Sequence, residues 1–235
     1  MVLVNWDMRR SMREFAFSNL KVYLEMIERQ FEVVLDMERT RTDSIPPSHL
    51  SEDDYLEWQA EGQAEIQLFE ERYERDFPSK IRYSFVVLLF IVFEDCLLDT
   101  CDEISKRNNL EGREMDLSDP TIKRAINFLT KVANVPLENQ QSWQKIKDFQ
   151  KIRNCIVHTN GRIDESRDKK YLYDLCKKGL GVSNVEGTLM VEKGYCINTL
   201  EICSTFFDHL FDSVWFGSST LTHDVFKKEK QDGIV

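Results

Sequence analysis

The sequence predicts an all-α protein: a helical bundle with an N-terminal helical extension and a small β-hairpin before its last helix. Three observations carry this. Nine Gly and five Pro among 235 residues leave few breaks, so long helices are expected. Apolar residues recur three and four apart through most of the chain, the spacing that lines one face of a helix. Only GTLMVEKGYCIN is β-prone in short runs, around Lys193 and Gly194, and that predicts the hairpin.

Taken in order, Phe17, Leu20, Leu24, Ile27, Phe31, Val34 and Leu35 place one amphipathic helix over about 5–40. The break TDSIPPSHL comes next. Ser51 with Asp54 resembles a capping box and opens a second, acidic helix reaching about Glu74. After Pro78 a helix over about 79–106 is apolar nearly all round in its middle, so it should have neighbours on every side. Asp119 and Pro120 are an N-cap and a first-turn proline for a helix to about Ala133, with Pro136 just beyond. The next helix runs from about Ser142 to His158 and closes at Gly161. A shorter one lies around 168–178 before Gly179 and Gly181. Asn198 with Glu201 is a second capping box, starting the last helix over 199 to about 216. This divides the chain into an N-terminal extension over 1–78, a helical core over 79–216 and a tail over 217–235.

At this length a core can form without metal or disulfide staples. The six cysteines, at 96, 101, 155, 176, 196 and 203, include no CxxC pair, and no paired histidines stand at zinc spacing; they read as reduced, buried thiols. The net charge of −10 excludes indiscriminate coating of nucleic acid, so any such chemistry needs a local basic site. The N-terminus has no long apolar region of a secretory signal, and the most apolar run, Phe85 to Phe93, is half a membrane span. A cytoplasmic protein without a membrane segment is expected.

One stretch carries chemistry: KIRNCIVHTNGR, Lys151 to Arg162. Around Arg153 the residues at i−7, i−4, i+3 and i+4 are Ile146, Phe149, Ile156 and Val157, which puts a permanent charge at the centre of an apolar face. A guanidinium cannot shed its charge, so it needs a carboxylate partner, a wet cleft or an anionic ligand. Glu94 or Asp95, at the end of the core run, is the expected partner in the purely structural reading and is compatible with the functional one. Asn154 and His158 share a face with Lys147 and Lys151, so that side offers donors, an imidazole base and positive charge. His158 taken alone reads as a helix-end residue favourable to the dipole. His49, His209 and His223 read as solvated, and Cys155 as a packed thiol. Lys169, Lys170, Lys177 and Lys178 read either as a path for phosphates or as a solvated helix face. On a straight helix Arg153 and His158 point about 140° apart, so a site using both in one place needs two copies across a two-fold axis.

The run Arg153-Asn154-Cys155-Ile156-Val157-His158 resembles the Rx4-6H motif, in its R-N-x-x-x-H form, of the HEPN superfamily (higher eukaryotes and prokaryotes nucleotide-binding). Many members are metal-independent endoribonucleases of toxin-antitoxin, abortive-infection and antiviral systems, and the likeness to the family core covers roughly residues 79–216. The resemblance implies a homodimer with both motifs in one cleft, RNA as substrate, no cofactor, and an antitoxin or other regulatory protein as a further partner. By it, His158 is a general acid or base, Arg153 stabilises phosphoryl charge and Asn154 orients the pair; from the residues themselves, Lys147 and Lys151 on the shared face are expected to bind the substrate and Glu94 to orient the arginine. It equally allows a non-catalytic helical scaffold or nucleotide-sensing module. Where related toxins carry a tyrosine two residues after the histidine, this chain has Asn160, so silencing by adenylylation there is not implied.

Overall fold

The computed structural model describes residues 2–42, 51–107, 121–135, 137 and 141–216. The chain is mostly helical, with one two-stranded antiparallel sheet among the described residues. The expected helix signals at Asp119, Pro120 and Pro136, like His49, His223 and the tail, lie outside them.

Helix α1, Val2–Thr42, buries Phe17, Leu20, Leu24 and Phe31 on one face, as the spacing requires. Helix α2, Glu52–Phe69, begins at Ser51, whose hydroxyl accepts the Asp54 amide at 3.2 Å and donates to Asp54 Oδ2 at 2.5 Å. Three acidic residues in its first turn complement the helix dipole. No break occurs near Glu74. A widened π segment, Glu70–Asp76, leads straight into α3, Phe77–Arg107. The Phe77 amide bonds the Arg72 carbonyl five residues back, and this wider turn gives the Pro78 ring the room that an ordinary helix would deny it.

Helix α3 buries Phe85, Val86, Leu89, Phe90 and Phe93 but leaves Leu88 and Ile91 exposed. The run that reads as surrounded on every side therefore has one open flank. Helix α4, Thr121–Asn127, continues through a π segment, Phe128–Val132, and ends at Ala133 as expected. Helix α5 spans Gln141–Thr159, and α6 spans Lys169–Cys176.

The hairpin stands before the last helix, but its turn is not at Lys193 and Gly194. Strands β1, Val182–Val185, and β2, Thr188–Val191, pair with Val185 opposite Thr188, leaving Glu186 and Gly187 as the loop. Both loop residues have positive φ, 49° and 80°, which is the type I′ geometry that matches strand twist. Lys193 instead opens α7, Lys193–Phe216, so the helix starts six residues earlier than the Asn198 capping signal indicates. The Glu192 carbonyl accepts the amides of Tyr195 and Cys196, both buried, and Asn198 and Glu201 lie exposed within the helix. Burial of Tyr195 and Cys196 overrides a cap sequence.

Two compact units divide the described residues. In the unit of Met1–Phe17, Leu89–Gln150 and Asn198–Val235, aromatic rings form the core: Phe93 lies 5.6 and 5.4 Å from Phe206 and Phe207, and Phe90 lies 5.2 Å from Phe149. Arg13 enters its margin, donating to Thr100 Oγ1 at 3.1 Å, with its guanidinium over the Phe207 ring.

The other unit, Ser18–Leu88 and Lys151–Ile197, is organised by α3 reaching the hairpin. Ser79 Oγ accepts the Val191 amide at 2.9 Å, Arg82 donates to the Val191 carbonyl at 3.3 Å, and the Tyr83 phenol donates to the Leu189 carbonyl. Glu28, 5% exposed, receives both Nε and Nη2 of Arg82 at 2.6 and 2.7 Å, a bidentate pair with little access to water.

Candidate active site

The motif occupies the last two turns of α5. Ile146, Phe149, Ile152, Cys155 and Ile156 are buried, whereas Val157 is 46% exposed. The buried stripe thus runs through Ile152 and Cys155, and Arg153 borders it, half-buried, rather than standing at its centre. Counting Val157 as core displaces the expected centre toward Arg153; that valine faces outward instead. Arg153 Nη1 donates to Asn154 Oδ1 at 3.1 Å, so the asparagine braces the guanidinium from the next position along the helix.

His158 is exposed in the last turn of the helix, as its sequence position suggests. The chain just beyond it is firmly held. The helix stops at Thr159, and the left-handed residue that ends it is Asn160, φ 52°, with Gly161, φ 80°, next to it, so the closing role expected of Gly161 is shared. Lys80 Nζ donates to the Asn160 carbonyl at 3.2 Å, and the Gly161 amide reaches back to the Cys155 carbonyl at 3.2 Å. The Gly161 carbonyl accepts Leu189 N–H, and Ile163 N–H donates to the Gly187 carbonyl, both at 2.8 Å. Backbone bonds to the hairpin therefore fix the histidine's end of the helix, the kind of rigid support a catalytic side chain requires.

Gly161 is also where Tyr83 comes closest. A Cβ there would collide with the phenol oxygen. With positive φ and a collision together, Gly161→Ala should destabilise the fold by about 2–3 kcal/mol, read as a lower urea midpoint. An unchanged midpoint would mean that the tyrosine swings aside freely.

Lys147, Lys151, Asn154 and His158 share a single side of α5, since they are four, three and four residues apart. Their surroundings differ. Lys147 is exposed, with its ammonium 5.5 Å from the Trp143 ring centre. Lys151 is half-buried, ion-paired to Asp168 and 4.5 Å from the Tyr171 ring centre. Glu94, expected to orient the arginine, is half-buried on α3 in the other unit. On α6, Lys169 pairs with Asp164 at 2.5 Å; just past its end Lys177 pairs with Asp174 at 3.4 Å, and Lys170 and Lys178 are exposed. Lys169 and the Tyr173 hydroxyl hold the Asp164 carboxyl below its ordinary value. Ion pairing thus reduces the net positive field near the motif to less than the lysine count suggests.

Sequence reasoning missed Asp168, Tyr171 and Tyr83. Tyr83 alone left a signal, a hydroxyl at the start of an aliphatic run; Asp168 and Tyr171 sit in an ordinary charged stretch with none. Among the described residues no three His, Cys, Asp or Glu side chains gather as a metal-ligand set, and no helix is long and apolar enough to cross a membrane.

The thiols are packed. Burial pushes Cys96 up to about 11 and Cys101 and Cys196 up to about 12, and it raises Cys155 and Cys203 as well. Because the thiolate is the reactive form, an alkylating reagent at pH 8 should label half-buried Cys176 first and leave Cys155 intact until unfolding. Rapid labelling of Cys155 in the native protein, located by peptide mass, would contradict this packing.

Compared with known proteins, the chain matches no family model, no curated protein and no solved structure.

Proposed function

We propose that this chain is a cytoplasmic, metal-independent endoribonuclease of the HEPN type, acting as a homodimer in toxin-antitoxin or antiviral defence. The observation that carries the reading is the pairing of a braced Arg153 with an exposed His158 at a pinned helix end, flanked by exposed, apolar Val157. An outward valine beside a histidine suits a seam with a second copy. Since the two side chains diverge by about 140° on one helix, a two-fold seam is what brings an arginine and a histidine to one phosphate.

In that cleft His158 takes the proton of a ribose 2′-hydroxyl as the oxygen attacks phosphorus. The same imidazole, protonated by that step, then returns the proton to the departing 5′-oxygen. The products are a 2′,3′-cyclic phosphate and a 5′-hydroxyl, with no redox change and no water consumed. Arg153 stabilises charge on the phosphoryl oxygens, Asn154 keeps the guanidinium in place, and Lys147 and Lys151 lie along the strand's path. An antitoxin or regulatory protein would restrain the enzyme.

A non-catalytic helical scaffold is the second reading. It is favoured by the net charge of −10 and by Asp168, which neutralises Lys151. Incubating the purified protein with RNA in EDTA separates the two. Cleavage leaving cyclic-phosphate ends supports the enzyme; intact RNA supports the scaffold.

A further inference from the structure

Helix α1 carries two apolar faces, and the described residues cover only one. Opposite the buried face of Phe17, Leu20, Leu24 and Phe31 stand Met8, Met12, Phe15, Val22, Met26, Val33 and Met37, between 47% and 68% exposed. At 100° per residue all seven fall within an arc of about 80°, roughly opposite the buried stripe. Single exposed apolar residues are common on protein surfaces, but seven along one stripe are the mark of an interaction surface.

The row has a seam's spacing. Positions 8, 12, 15, 19, 22, 26, 29 and 33 alternate steps of four and three, the repeat by which one helix packs along another. Apolar residues fill all but Asn19 and Arg29. The positions also read alike in both directions. Reversed about a point between Leu20 and Lys21, Met8 meets Val33 and Phe15 meets Met26. Met12 then meets Arg29, whose methylene stem suits a methionine, and Asn19 meets Val22.

Charge selects the direction. Among the described, exposed charged side chains, the half of α1 before that point has Arg10 and Glu14, a net of zero, and the half after it has Lys21, Glu25, Arg29, Glu32 and Asp36, a net of −1. A parallel pair would set the acidic halves together, whereas an antiparallel pair sets each acidic half against a neutral one.

We propose that this face is an interface between two copies of the chain, α1 packing antiparallel on α1 of the second copy. From Met8 to Met37 the seam runs about 45 Å, long enough to bury on the order of 800 Å² per chain, the size of a stable interface. The seam is carried by one helix and does not rest on the Arg153 and His158 reading.

The test is the molar mass of the full chain by light scattering, for wild type and for Phe15→Asp combined with Met26→Asp. A wild-type dimer and a variant whose dissociation constant rises at least about 100-fold, with unchanged circular dichroism and melting midpoint, support the seam. A monomeric wild type, or a variant that dimerises as tightly, overturns it. For direction, Met8→Cys and Val33→Cys chains are mixed with a short bismaleimide. Cross-linking of 8 to 33 supports the antiparallel arrangement, and cross-linking only between like positions overturns it. Arg153→Ala should leave all these masses unchanged, because the guanidinium lies outside the α1 seam.

Discussion

Replacing His158 by alanine is expected to lower RNA cleavage by about 10²–10⁴-fold, and Arg153→Ala by about 10²–10³-fold, while leaving the fold intact. The stability half of that expectation comes from position. His158 is exposed, and Arg153 borders the buried stripe without entering its centre, so neither removal opens a cavity in the core. The activity half comes from chemistry. The imidazole moves a proton at both ends of the reaction, whereas the guanidinium stabilises charge that appears only in transit. Arg153→Lys keeps the charge but loses the planar fork that binds two oxygens together, so it should recover little. Cleavage rates measured beside urea unfolding decide the matter. Equal loss of activity and stability would reduce the motif to a structural one.

Glu28→Ala should destabilise the second unit by about 3–5 kcal/mol, because it leaves the largely buried Arg82 guanidinium without its carboxylate. Removing both charges at once, with Glu28→Met and Arg82→Met, should return much of that loss, since no ion is then left unpaired. Urea unfolding of the single and double variants measures both numbers. If the single variant lost less than about 1 kcal/mol, the pair would be behaving as an exposed one. The consequence reaches the site, because Arg82 also holds the Val191 carbonyl and hence the hairpin that fixes the end of α5.

Whatever repeats locally was legible in the sequence. Helices α1, α3 and α5 come from apolar spacing alone, to within a few residues. The hairpin's existence was legible, but its turn was not: Lys193-Gly194 looked like the loop, while Glu186, a residue with no preference for positive φ, takes that conformation because the β1 and β2 strands pair around it. The start of α7 was misplaced for a related reason, since Asn198 and Glu201 form a valid cap that burial of Tyr195 and Cys196 outweighs. At the site, Arg153, Asn154 and His158 were visible as a pattern on one helix. Partners distant in the chain were not. Asp168 lies 17 residues from Lys151, and Glu28 lies 54 from Arg82, and no local periodicity joins such pairs.

The claim on which everything functional depends is that one chain's arginine works with another chain's histidine. Mixing the inactive Arg153→Ala and His158→Ala proteins under exchange conditions tests it directly. Mixed dimers retain one intact arginine and one intact histidine on different chains, so cleavage should reappear at a sizeable fraction of the wild-type rate. A mixture that forms mixed dimers and remains as inactive as its components would contradict a shared cleft.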